Sequence, residues 1–154
     1  MSVYSLENEA FVSLLKYGSI VLLKLVAMSP ITSVYRGIYK SVASEEDAKL
    51  AEPNDKEKQK KLMAKNPGVE RARLAHLNDL ENIVPFFLIA MLYVTIAPNA
   101  KTADFIFKIF AGSRILHTIV YLGKVRQPAR GLAFMAGFCV NCYMLFQIMT
   151  VVLL

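Results

Sequence analysis

Four long apolar segments recur along the chain, divided by polar connections. The clearest runs from Gly131 to Leu154 without a single Asp, Glu, Lys or Arg. At ~1.5 Å per residue it is long enough to cross the ~30 Å hydrocarbon core of a bilayer. The others are Ala10 to Tyr35, Ile83 to Ala97 extended backwards by Val69 to Asn82, and Ala103 to Leu122. This pattern predicts an all-α integral membrane four-helix bundle, a single domain over residues 1–154. Its spans lie at about 10–35, 69–97, 103–122 and 130–153, with the first two joined by a connection over 36–68.

The polar positions inside those segments are the informative ones, because a charge facing lipid is costly and is expected to turn inward or to an interface. The segment Val69-Glu70-Arg71-Ala72-Arg73-Leu74-Ala75-His76-Leu77-Asn78-Asp79-Leu80-Glu81-Asn82 has no helix breaker before Pro85. At about 100° per residue, Leu74, Leu77, Asn78 and Glu81 share a face with Arg73 at its margin, and His76 and Asp79 point elsewhere. In the third segment Arg114, His117, Thr118 and Tyr121 follow i, i+3, i+4, i+7 spacing and share one narrow face. Gly112 is expected to let a neighbouring helix come close. In the first segment Lys16 is placed to snorkel to the headgroups, Lys24 calls for an interior contact, and Pro30 is expected to bend the helix.

Between the first two spans, Ser44 to Pro67 changes composition abruptly to Glu, Lys, Asp and Gln and reads as a solvated, partly helical connection that ends at Asn66-Pro67-Gly68. Ala97-Pro98-Asn99-Ala100 forms a tight turn. Pro128 suits the first turn of the last helix, which brings Arg130 to the mouth of that span.

A composition of 55% hydrophobic residues and a mean hydropathy of +0.41 agrees with a membrane class rather than a soluble one. Ten Lys or Arg lie between Arg36 and Arg73, and Lys124, Arg126 and Arg130 add three, against only Lys101 in the connection over 97–102. By the positive-inside rule the two basic connections face the cytosol. The net charge of +6 is then an orientation signal, and no nucleic-acid partner is expected. The N-terminus lacks a charged region followed by a cleavable small-residue site, so the first span is expected to be retained. Cys139 and Cys142 spell C-x-x-C inside the last apolar run, where thioredoxin-type chemistry has neither access nor a lowered thiol pKa, and they are read as ordinary buried cysteines. No metal site is expected.

Arg36, Arg73, His76, Asn78 and Glu81, with Arg114, His117, Tyr121 and Arg130, all fall in the cytosolic half of such a bundle. One reading is an interior ion-pair network, with Glu81 paired to Arg73 or Arg114 and Asp79 to the nearest cation. Cations outnumber the buried carboxylates, however. An excess of guanidinium groups in a membrane pocket favours an anionic ligand held through bidentate carboxylate contacts.

The run Val69 to Phe86, the Arg114-x-x-His117-Thr118-x-x-Tyr121 motif and Pro128-Ala129-Arg130 closely resemble the signatures of the membrane-associated proteins in eicosanoid and glutathione metabolism, over essentially the whole chain. The resemblance implies a homotrimer of four-helix subunits in the endoplasmic reticulum membrane, with the mitochondrial outer membrane as a further location, binding glutathione between adjacent subunits near the cytosolic face. It implies that Arg36, Arg73, His76, Asn78, Glu81, Arg114, His117 and Tyr121 line the glutathione site, that Glu81 meets the ammonium, and that Arg130 with Tyr121 holds the sulfur. The implied activity is a glutathione transferase, with glutathione as co-substrate. Its thiolate would attack lipophilic electrophiles or reduce lipid hydroperoxides arriving through the membrane.

This chain departs from the family pattern at several positions. Leu74 stands where many members carry a second arginine. Gly131 stands where the prostaglandin E synthases of the family have a serine tied to their chemistry, and Phe134 replaces a tyrosine there. Both changes favour a transferase over the alternative isomerase, and over a non-catalytic lipid-presenting scaffold of the same family only glutathione binding decides. Ala48 occupies the place of a reactive cysteine in mammalian transferases of the family, so thiol alkylation is not expected to activate the protein through that site.

Overall fold

A computed structural model describes residues 3–153, and every regular element among them is helical. Four long helices, α1 (Glu9–Ile38), α4 (Pro67–Thr95), α5 (Ala100–Leu122) and α6 (Ala129–Leu153), are long and apolar enough to cross a membrane. Two short ones, α2 (Glu45–Ala51) and α3 (Lys56–Met63), occupy the first connection. The long helices start or end within three residues of the segments expected from hydropathy.

The helix starts follow from the sequence. Asn8, Ser44, Asp55, Asn66 and Asn99 each accept a backbone N–H of the first turn through the side chain, which satisfies donors the helix itself cannot. The N–H of Lys58 on the Asp55 carboxylate holds that group below its ordinary pKa. Pro67 occupies the first turn of α4, where its missing N–H costs nothing. Both Pro30 and Pro85 are accommodated inside continuous helices, α1 and α4. Pro128 precedes α6 across a cis Gln127–Pro128 bond.

The core is built where α1, α4 and α5 meet. The buried residues of α4 include Ala72, Ala75, Asp79, Ile83, Phe86, Ala90 and Tyr93, a 3–4 residue recurrence that marks an inward stripe. Phe86 stacks on Phe110 of α5 with ring centroids 3.7 Å apart, and Phe107 meets it edge-on at 5.9 Å. α6 packs mainly on α5, through Ala133, Gly137, Val140, Asn141 and Met144. The outward surface is apolar, with Leu23, Leu88, Phe105, Ile119, Leu132 and Phe146 all well exposed. A soluble monomer does not present such a surface, whereas lipid or further copies of the chain would cover it.

Two sequence expectations are corrected by this packing. Gly112 is exposed, and a Cβ built on it would meet nothing within 4 Å. The close approach is made instead by Gly137 of α6, whose Cβ would lie 2.9 Å from Ser113 Oγ and 3.5 Å from the Phe110 ring. Cys139 and Cys142 are exposed and not buried. The inward positions of α6 are taken by Gly137, Val140, Asn141 and Met144, which leaves both thiols on its outer side.

Candidate functional site

Three polar groups gather at the end of the bundle that carries the two basic connections. The first lies deep between α1, α4 and α5. Lys24 of α1 forms an ion pair with Asp79, and Arg114 of α5 lies 3.6 Å from the same carboxylate oxygen through Nη2. Asp79 and Arg114 are fully buried and the Lys24 side chain is nearly so. Arg114 Nη2 also donates to Asn78 Oδ1 at 2.8 Å. His117, one turn further along α5, is buried too. Lys24 thus has the interior contact its depth calls for, and Asp79 the cationic partners expected of it. The contact is energetically necessary, since one buried charge left unpaired costs several kcal/mol.

The second group is a cleft between α4, α5 and α6 of about 260 Å³, lined by Glu70, Arg71, Leu74, Tyr121 and Arg130 among others. The Arg130 guanidinium lies over the Tyr121 ring at 4.8 Å, and Arg71 lies at 5.7 Å from the same ring. Arg71 Nη1 donates to the Tyr121 carbonyl at 3.2 Å, and the His117 ring is 5.5 Å from that of Tyr121. Two guanidinium groups therefore lie against one aromatic ring, and neither has a carboxylate partner among the described residues.

The third group occupies the opposite flank of α4. Arg36, Arg73 and His76 line a cleft of about 560 Å³ together with Thr32, Ser41 and Asp47, bounded by α1 and the start of the first connection. Arg73 is held by Glu70 through Nε at 3.1 Å and Nη2 at 3.2 Å, an exposed bidentate pair. Arg36 has no carboxylate partner among the described residues.

The expected site residues are thus not all brought together within one chain. Tyr121 and Arg130 meet; Arg114 meets Asn78 with His117 close behind; Arg36, Arg73 and His76 face a separate cleft. The reason is the inward stripe of α4, with Ala72, Ala75 and Asp79 at its centre. It puts Arg73 and His76 on one flank and Arg71, Leu74, Asn78 and Glu81 on the other. Glu81 is exposed and takes no part in the ion pairs of the described residues, so the pairing with Arg73 or Arg114 considered from sequence is not formed: those cations are held by Glu70 and Asp79. Arg71 was absent from the expected set. Its i, i+3, i+7 spacing to Leu74 and Asn78 carried the signal.

A groove of about 480 Å³ between α5 and α6 is lined by Leu116, Val120, Ala129, Leu132 and Ala133 among others, and Ala129 adjoins Arg130 in the chain. Among the described residues, no cluster of His, Cys, Asp and Glu is arranged to hold a metal ion.

Comparison with known proteins gives this arrangement its context. The chain is 43% identical over 144 residues to microsomal glutathione S-transferase 1 of Sus scrofa, covering 94% of this chain and 92% of the relative. It is 40% identical, with the same coverage, to microsomal glutathione S-transferase 1 of Homo sapiens. Similarity to prostaglandin E synthase of Bos taurus is lower, 33% over 117 residues, with 76% of this chain and 72% of the relative covered. The family model described as "MAPEG family" matches residues 14–150, nearly the whole of the four-helix unit, and the chain belongs to that family.

Proposed function

We propose that this chain is a membrane-bound glutathione transferase. The observation that carries the reading is the pair of guanidinium groups, Arg71 and Arg130, that lie against Tyr121 with no carboxylate partner among the described residues, in a chain about 40% identical to microsomal glutathione S-transferases. Glutathione brings two carboxylates, an ammonium and a thiol. Cations without internal partners suit the carboxylates and the sulfur, and exposed Glu81 suits the ammonium.

Chemistry follows from the ionisation of the thiol. A free thiol with a pKa of about 8.5 is only a few per cent thiolate at neutral pH, and a guanidinium within reach lowers that value by about 1–3 units. Arg130 is the group assigned to the sulfur, with the Tyr121 ring holding its orientation. Arginine stays protonated in a partly dry site, so it stabilises the anion without giving up a proton. The thiolate then attacks the electrophilic carbon of a lipophile; the C–S bond forms as the leaving group departs with the electron pair. With a lipid hydroperoxide, two glutathione thiols are oxidised to the disulfide while the hydroperoxide is reduced to an alcohol and water. The apolar groove beside Ala129 offers such molecules a route from the bilayer.

Because the two flanks of α4 face apart, a complete glutathione site is assigned to the junction between copies, with Arg36, Arg73 and His76 from one and Tyr121 and Arg130 from its neighbour. A homotrimer closes such a head-to-tail contact into a ring. The assigned location is the endoplasmic reticulum membrane, with the basic connections in the cytosol. Gly131, which offers no side chain beside Arg130, and the lower identity to prostaglandin E synthases weigh against the isomerase reading.

The test is conjugation of glutathione to chlorodinitrobenzene by the detergent-purified protein, with glutathione binding followed by calorimetry. Conjugation that falls at least tenfold in Arg130→Ala supports the reading. Absence of glutathione binding by the unaltered protein refutes it and favours the lipid-presenting scaffold.

A further inference from the structure

The deep group formed by Lys24, Asp79 and Arg114 is charge-unbalanced. Two cations surround one carboxylate, all three inside the bundle. One cation would balance the Asp79 carboxylate, and the second, needed to join the third helix, leaves the group with one positive charge in excess. Among the described residues, Arg114 Nε and Nη1 and His117 Nδ1 have no hydrogen-bond partner. Among the described residues Asp79 is the only buried acid and no other carboxylate pairs with Lys24 or Arg114: Glu81 of α4 is exposed, Glu70 holds Arg73, the acid of α1 is Glu9 at its far end, α5 adds buried His117, and the single charged residue of α6 is Arg130. No Asp or Glu follows Asp104 in the chain.

The excess charge lies behind the cleft assigned to the glutathione sulfur. Along α5, Arg114, His117 and Tyr121 are successive turns of one face, so Tyr121 follows Arg114 by about 10 Å along the helix axis at ~1.5 Å per residue. A fixed unit charge at that distance in a medium of effective dielectric ~20 changes an ionisation equilibrium by on the order of one pH unit, less where water penetrates. Arg114 is also tied to the cleft's own helix through the 2.8 Å bond to Asn78.

We propose that Lys24 is a positioning and electrostatic residue for the transferase reaction: by leaving the Lys24–Asp79–Arg114 group with one net positive charge, it lowers the pKa of the glutathione thiol bound two turns away, without touching glutathione. This rests on the proposed transferase reading. The role is distinct from that of Arg130, which acts on the sulfur directly. It requires Lys24 to be a cation, the form that an ion pair with the Asp79 carboxylate favours.

The experiment titrates the ultraviolet absorbance of the bound thiolate against pH in the purified protein, with glutathione affinity measured alongside. Lys24→Met brings the group to neutrality and is expected to raise the thiol pKa by roughly half to one unit. Lys24→Arg keeps the charge and keeps the pKa. The double variant Lys24→Met/Asp79→Asn leaves Arg114 alone with its positive charge, and the pKa returns to that of the unaltered protein. A structural role cannot produce that return, because the double variant has lost the ion pair altogether. Normal glutathione binding with a thiol pKa unmoved in Lys24→Met, or a pKa that stays raised in the double variant, overturns the inference and leaves the transferase reading intact. Failure of the unaltered protein to bind glutathione refutes both.

Discussion

Arg130 of α6 lies over the ring of Tyr121 of α5, 4.8 Å from its centroid, and so the two helices present one composite group to the cleft beside α4. A guanidinium on an aromatic face is worth about 0.5–2 kcal/mol depending on desolvation, and the ring also fixes the direction in which the cation points. The ring is therefore expected to matter more than its hydroxyl. Tyr121→Phe retains conjugation within about threefold of the unaltered rate, whereas Tyr121→Leu loses about tenfold in kcat/KM, the scale of ~1.4 kcal/mol. Steady-state kinetics with chlorodinitrobenzene separate the two outcomes. A Tyr121→Phe variant as impaired as Tyr121→Leu would assign the hydroxyl, and not the stack, to the chemistry.

Much of this arrangement is legible in the sequence because membrane helices make few compromises. The four long helices follow from runs of apolar residues, and Asn66-Pro67 marks the start of α4 through an N-cap and a first-turn proline. Lys24 is legible as an interior residue because a lysine at that depth has no other stable place. Pairing is a different matter. Which carboxylate meets which cation depends on how the inward stripes of three helices are phased against each other, and no spacing within one helix contains that. Hence Asp79, and not Glu81, receives Arg114. Gly112 misleads for the same reason: a small residue permits a close approach, but only the neighbouring helix decides whether one happens, and α6 makes it at Gly137.

The buried and exposed ion pairs are expected to differ sharply in their weight. Asp79→Ala leaves Lys24 and Arg114 without an anion inside the bundle, at a cost of about 3–5 kcal/mol. Glu70→Ala removes the bidentate partner of Arg73, but that pair is solvent-exposed and worth at most about 1 kcal/mol. Thermal unfolding in detergent, monitored by helical circular dichroism, should show a clear drop in the midpoint for Asp79→Ala and little change for Glu70→Ala.

Helix spacing gives a second contrast in stability. A valine at Gly137 would drive its side chain against Ser113 and the Phe110 ring, which is itself stacked on Phe86, so α5 and α6 must part; overpacking of this kind costs about 1–3 kcal/mol. Gly112→Ala meets nothing and removes a flexible residue from a helix interior, a gain of up to about 1 kcal/mol. Unfolding midpoints of the two variants should move in opposite directions. A loss for both would mean that Gly112 is covered by another copy of the chain.

The division of polar residues between two flanks of α4 makes the shared site directly testable. Arg36 lines the cleft on one flank, and Arg130 lines the cleft on the other. If each glutathione is held by the first flank of one copy and the second flank of its neighbour, then neither Arg36→Ala nor Arg130→Ala homotrimers contain an intact site. Mixed trimers do, wherever an Arg130→Ala chain supplies Arg36 to a junction at which an Arg36→Ala chain supplies Arg130. Random mixing of equal amounts makes about a quarter of the junctions intact in a closed ring. Co-expression of the two variants with different affinity tags, followed by tandem purification, should recover conjugation well above that of either variant alone. Activity no higher than the parents in verified mixed assemblies would place all of the required residues within a single chain, and the two clefts would then have to act separately.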